Sequence, residues 1–290
     1  MRDFVIVTDS ATDISSEMVK SLGLHVVQLA VIMDGAEPMP GDCIDPKEFY
    51  AELRAKKDAT TSAVNIDQFL AYFGEILEKK DTDILYLGFS SGLSGTYNAS
   101  CVAMRELSEK YPDRKLYSVD TLCASMGQGL LVWYAAKLKE SGADIDTVRD
   151  WVENNKLNLC HWFTVDDLFF LKRGGRVSAA TAVVGTMLGI KPVMHVDNAG
   201  KLIKVTTARG RKASIDELFN RMKASVLPKS DDCETVFISH GDCEEDAQYL
   251  ANRVREELGY THIEINFIGP VIGAHSGPGT LALFFLGKER

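Results

Sequence analysis

No hydrophobic run in the sequence approaches the ~18 residues of a membrane-crossing helix, so no transmembrane span is predicted. Positive charge is not in excess either. With 32 Lys and Arg against 41 Asp and Glu, the net charge is -9. Nucleic acid is therefore not an expected partner, because its phosphates demand clustered cations. The six cysteines, Cys43, Cys101, Cys123, Cys160, Cys233 and Cys243, include no C-x-x-C pair and are expected as reduced thiols. Cys233, His240 and Cys243 come nearest to a metal set, but they lack a paired-ligand knuckle and no metal is expected there. The opening apolar stretch Phe4-Val5-Ile6-Val7 breaks at Thr8-Asp9, too early for a signal-peptide core, which makes the cytoplasm the expected location. Internal repeats and low-complexity segments are missing as well.

What is present is the balance of a globular protein, 46% hydrophobic and 25% charged over 290 residues. That length exceeds one ordinary core and predicts two domains with a cleft between them. Phe4–Val7 running into Thr8-Asp9-Ser10 reads as a strand, a polar loop and then a helix around Ser16–Ser21. The pattern recurs where Ile84–Phe89 meets Ser90-Ser91-Gly92-Leu93-Ser94-Gly95-Thr96, and again where Lys115–Val119 stops at Asp120-Thr121. Strands alternating with helices predict a parallel sheet with ligand at the carboxyl ends of its strands. Thr60-Thr61-Ser62 reads as the start of a helix carrying Phe69, Phe73, Ile76 and Leu77 on one face.

Beyond Ser141-Gly142-Ala143-Asp144 the pattern changes. A strand over Leu157–Phe163, a small-residue helix over Ala179–Leu188, and a hairpin of Val193–Val196 with Leu202–Val205 predict a mixed sheet with helices. The expected fold class is thus α/β. An N-terminal parallel-sheet α/β/α domain would occupy residues 1–155 and a C-terminal mixed-sheet α/β domain residues 156–290, with ligand between them.

Two loops carry recognisable chemistry. In Ser90–Thr96, glycines open the backbone N–H groups to a ligand, hydroxyls donate, and the following helix N-terminus favours negative charge. The segment has neither the Lys of a Walker loop nor the spacing of a dinucleotide fingerprint, so nucleotide is disfavoured. A tight turn that caps a helix would use the same residues. In Ile272-Gly273-Ala274-His275-Ser276-Gly277-Pro278-Gly279-Thr280, glycines and a proline around His275 predict a loop in which the imidazole either donates to an oxyanion or bonds a nearby carbonyl.

Four motifs in order, Thr8-Asp9-Ser10, Leu93-Ser94-Gly95-Thr96-Tyr97, Leu171-Lys172-Arg173-Gly174-Gly175-Arg176-Val177-Ser178 and Gly273-Ala274-His275-Ser276-Gly277-Pro278-Gly279, resemble those of the DegV family of fatty-acid-binding proteins along essentially the whole chain. The resemblance implies one long-chain fatty acid, such as palmitate, buried between the domains. Its carboxylate would be held by the hydroxyls of Thr61 and Ser94, the Gly95 amide and His275, with Ser62 a neighbouring candidate and no formal positive charge. The family commonly continues Gln-Pro-Ser where Ala63, Val64 and Asn65 stand here. A sixteen-carbon tail would gain about 12 kcal/mol from burying its methylenes, before ordering costs. The resemblance further implies no cofactor and no catalysis by this chain alone. Related proteins carry the acid to a separate fatty acid kinase, which makes an acyl phosphate for phospholipid synthesis.

Arg173, Arg176, Arg209 and Arg211, with Lys172 and Lys212, form the basic patch of this acidic chain. Surface solvation, kinase docking, and contact with anionic membrane or acyl phosphate are its three readings. The alternative class is an enzyme of phosphotransfer or hydrolysis, using Asp9, Ser10 and Asp13 with the Ser-Gly loop as phosphate cradle. Against it, no Ser-His-Asp order is evident and Asp9 is suited to capping.

Overall fold

A computed structural model describes residues 2–178, 189–228 and 234–290. The helix expected over Ala179–Leu188 and residue Cys233 lie outside the described residues.

The first half supplies β1 (Phe4–Asp9), β2 (His25–Val27), β3 (Ala30–Met33), β4 (Met39–Pro40), β5 (Ala59–Ser62), β6 (Asp83–Gly88) and β7 (Leu116–Asp120). A parallel sheet of order β2-β1-β6-β7 forms from them. Every residue of β1 and β6 is buried, as strands covered on both faces require. A second, antiparallel sheet of order β4-β3-β5 was not foreseen, because strands of two and four residues show too little alternation to read. It claims Thr60-Thr61-Ser62 as strand, correcting their reading as a helix start. The helix Ile66–Lys79 is instead capped by Asn65, whose side chain accepts from Gln68 N while the Gln68 side chain accepts from Asn65 N.

The second half supplies β8 (Leu159–Thr164), β9 (Ile190–Val196), β10 (Leu202–Arg209), β11 (Thr235–His240), β12 (His262–Phe267) and β13 (Leu281–Leu286). They form a mixed sheet of order β10-β9-β8-β13-β11-β12, antiparallel except between β11 and β12. The β9–β10 hairpin turns where Asp197 Oδ1 accepts from Ala199 N and Lys201 N, and Gly200 takes a φ of +71°.

The helix Ser125–Glu140 lies between the two large sheets. Its Met126, Leu130 and Leu131 share one continuous core with Leu85 of β6 and with Phe163 and Phe284 of the mixed sheet. Each such side chain contributes roughly 1.5–3 kcal/mol on burial, so the halves are joined by packing and not merely by a linker. The helix reaches β8 closely because Gly127 has no β-carbon: one placed there would come within 2.2 Å of His161 Nε2. This approach fixes where the helix begins, and its first residues border the cavity described next. No helix among the described residues is long and apolar enough to cross a membrane.

Candidate functional site

Side chains alternate across the mixed sheet. Cys160 and Trp162 of β8 join the core on one face, while His161 and Phe163 point to the other. On that second face, with Ala282 and Phe284 of β13, a largely apolar cavity of about 250 Å³ opens between the sheet, the start of the Ser125–Glu140 helix and the loop after β6. This lies just below the ~300–1,000 Å³ common for small-molecule sites and suits one slender ligand.

One group of polar side chains gathers around His275. His275 sits on a short helix, Pro270–Ser276, and not in a loop as expected; Pro270 starts it and Gly277, at a φ of +78°, ends it. Its Nε2 is 2.7 Å from Thr61 Oγ1, whereas Nδ1 is buried without a partner. Burial, then the nearby Arg176 and Arg173 guanidinium groups, lower the His275 pKa to about 4. The imidazole is therefore neutral near pH 7, one nitrogen donating and the other accepting. Thr61, Ser94, Gly95 and His275 all line this one cavity. Ser62, one step along β5, is exposed on the opposite side of the strand with its Oγ 3.5 Å from Ala63 O. Ala63, at the departure from the family pattern, is itself a lining residue, and both it and Gly95 are exposed.

The Ser-Gly loop is held by the second half of the chain. Ser90 Oγ donates to Gly200 O at 2.8 Å, and a β-carbon on Gly92 would sit 2.6 Å from Ala199 O. Ser94 lines the cavity and its Oγ accepts from Thr96 N at 3.2 Å, at the first residue of the helix Thr96–Lys110, whose N-cap position is Gly95.

Arg176 corrects the picture of a site without formal positive charge. It lines the cavity, half-buried, and its Nε donates to Leu93 O at 3.1 Å while Nη1 donates to Gly174 O. Desolvation pulls its pKa down, yet a guanidinium remains charged in proteins. Sequence alone gave only a basic patch because the contact joins residues 83 positions apart. The other arginines are dispersed. Arg173 pairs with Asp58 and lies 5.1 Å from the Phe170 ring. Arg211 donates to Asp246 Oδ2 at 2.8 Å and lies 3.7 Å from Asp166 Oδ1. Arg209, Lys172 and Lys212 are exposed.

Asp9 has no exposed surface, and its oxygens accept from Tyr86 OH, Phe89 N and Ala11 N at 2.6, 2.9 and 3.1 Å. Burial raises its pKa; it is a buried tie between β1 and β6. Ser10 Oγ accepts from Leu29 N. Asp13, also buried, has its pKa pushed up to about 8 by desolvation, against the hydrogen bonds from Ser125 Oγ at 2.6 Å and Gly269 N at 2.9 Å. No group of three or more metal-ligating side chains occurs among the described residues.

A model described as "Uncharacterised protein, DegV family" matches residues 3–288. A DegV domain-containing protein of Clostridium perfringens is 48% identical over 294 residues, covering 100% of this chain and 99% of the relative. Among solved structures, a DegV family protein of Thermus thermophilus, described by its fatty acid binding, superposes with a TM-score of 0.84 at 30% identity, over 99% of this chain and 100% of that one. DegV of Bacillus subtilis, described as a fatty acid binding protein, gives 0.82 at 27% identity over 99% and 100%.

Proposed function

The chain belongs to the DegV family, and from that premise we propose that it binds one long-chain fatty acid and presents its carboxylate to a separate fatty acid kinase. The observation carrying this reading is a single cavity, apolar along Phe163, Ala282 and Phe284, whose polar end gathers Thr61, Ser94, Gly95, His275 and Arg176. The tail supplies most of the affinity through burial of its methylenes. The head is expensive to bury unless its oxygens are hydrogen-bonded, and here hydroxyls, a helix-start amide and a neutral imidazole meet one guanidinium. The description of the Thermus thermophilus relative as fatty-acid-binding supports the choice of ligand.

Ala63 and Gly95, exposed and lining the polar end, favour a head group that a partner can reach. In this scheme the kinase supplies nucleotide and metal, and this chain holds the acid in place. Of the basic residues, Arg209 and Lys172 are available for docking, whereas Arg173 and Arg211 are already paired with carboxylates. Extraction of the purified protein under denaturing conditions, followed by mass spectrometry, tests the ligand class. A stoichiometric long-chain acid is expected. Recovery of a nucleotide or phosphosugar, together with failure of the stripped protein to take up added acid, would refute the proposal.

A further inference from the structure

Within the apolar wall of the cavity one hydroxyl stands unused. Ser276 is 5% exposed, lines the cavity, and its Oγ has no hydrogen-bond partner. An unsatisfied buried hydroxyl is unfavourable, and proteins rarely keep one without a use for it. It shares a helix face with Ile272, four residues earlier, which lines the cavity too. Thr280 stands beside it, also lining the cavity and 2% exposed, its Oγ1 donating to Ser276 O and Gly277 O at 2.9 Å each. That donation uses the Thr280 proton and leaves its lone pairs available. The pair thus offers one donor that is free and one acceptor, which is the complement of a single hydroxyl group.

Resting on the proposed function, we infer that the cavity takes an acyl chain bearing a hydroxyl group, seated between Ser276 and Thr280. Ser276 directly follows His275, so the hydroxyl belongs in the carboxyl-proximal half of the chain. Deeper along β13, Ala282 and Phe284 succeed Thr280 at steps of about 6.6 Å, and they present hydrocarbon to the rest of the tail. A plain acyl chain fits the same space but leaves Ser276 unsatisfied or bridged by water. A hydroxylated one converts that loss into two hydrogen bonds. Where the lining is apolar, as at Phe163, Val196, Ala282 and Phe284, an added hydroxyl would find no partner and lose roughly ten- to a hundredfold in affinity.

The test is titration of the lipid-stripped protein with stearic acid and with a positional series of monohydroxystearic acids. Stearic acid should bind. Within the series, affinity should peak for an isomer hydroxylated in the proximal half, at least equal to stearic acid, with distal isomers weaker by about tenfold or more. In Ser276→Ala the ratio of the best isomer's affinity to that of stearic acid should fall by about tenfold, stearic acid serving as internal reference for an intact fold. If stearic acid binds and every hydroxylated isomer binds more weakly, or the ratio is unmoved in Ser276→Ala, the inference is wrong while the proposed function stands. Failure of all the acids removes both.

Discussion

A β-carbon on Gly174 would lie 2.2 Å from His275 Nδ1. The backbone of the Arg173–Arg176 turn is therefore the floor on which the imidazole rests. Gly174 has a φ of -71°, so alanine there is free of backbone strain and its methyl acts only by displacing the ring. Gly174→Ala should leave the thermal midpoint within a few degrees but weaken fatty acid binding by about tenfold or more, since a shift near 1 Å breaks the His275–Thr61 contact of 2.7 Å. Calorimetric titration of the stripped protein measures it. Wild-type affinity in a folded variant would show that the imidazole position is unimportant.

In the proposed site His275 would also set the pH behaviour of binding. Its pKa is lowered to about 4 by burial first and by Arg176 and Arg173 second, and a bound carboxylate would move it back toward the usual ~6.5. Proton uptake on binding then strengthens binding only as pH falls below about 6.5, and above that value the imidazole is neutral in both states. Affinity should change by less than about twofold between ~pH 6.5 and ~pH 7.5. A loss approaching tenfold across that unit would mean that the imidazolium, and not the neutral ring, holds the ligand.

In the proposed site the formal positive charge beside the head group would be that of Arg176. Arg176→Gln keeps a donor for Leu93 O but removes the charge, and it should weaken fatty acid binding by about tenfold while raising the His275 pKa, because one of the two neighbouring cations is gone. Titration of the histidine resonances by NMR reads the second effect independently of the first. An unmoved His275 pKa would count against electrostatic coupling between the two residues.

The sequence exposed the backbone of this site more readily than its charges. The Ser90–Thr96 loop is legible because glycine and serine act locally, making turns wherever they fall, whereas the His275 segment reads as a loop and is a helix. Even the His275 helix had its signal in Pro270 and Gly277, an N-terminal proline and a C-terminal glycine. The strand identity of Thr61 was hidden, since it depends on pairing with Val31, thirty residues distant in the chain. Arg176 was hidden for the same reason: the contact with Leu93 is made only when the halves pack together. The parallel sheet emerged from local apolar runs, whereas the shared core around the Ser125–Glu140 helix emerged from none.

In the proposed scheme, docking to a kinase should be separable from holding the acid. Arg209 is exposed at the end of β10 and does not line the cavity. Arg209→Glu should leave fatty acid affinity unchanged but lower the rate of acyl phosphate formation by a partner kinase several-fold, and the deficit should deepen at low salt, where repulsion reaches farther. Equal rates for variant and wild type at low ionic strength would remove Arg209 from the docking surface.

Asp13 links the halves of the protein through a proton. Its oxygens meet Ser125 Oγ and Gly269 N, Ser125 Oγ is 2.9 Å from Ser239 Oγ, and Asn266 Nδ2 donates to Asp13 O. Desolvation, with a smaller contribution from the nearby Asp9, pushes its pKa from 3.8 up to about 8. The folded protein therefore keeps a proton that the unfolded chain releases above ~pH 4. Stability contributed by this proton is full below that value and is lost as pH rises toward about 8, at up to about 1.4 kcal/mol per unit. Asn is nearly isosteric, tolerates the left-handed φ of 52° found at Asp13, and supplies an acceptor for Gly269 N and a donor for Ser125 Oγ, the pattern of a protonated carboxyl group. Asp13→Asn should consequently gain on wild type as pH is raised from ~5 to ~8, by a few kcal/mol in urea unfolding. Stability curves that run parallel across this range would show that Asp13 is already ionised in the folded state.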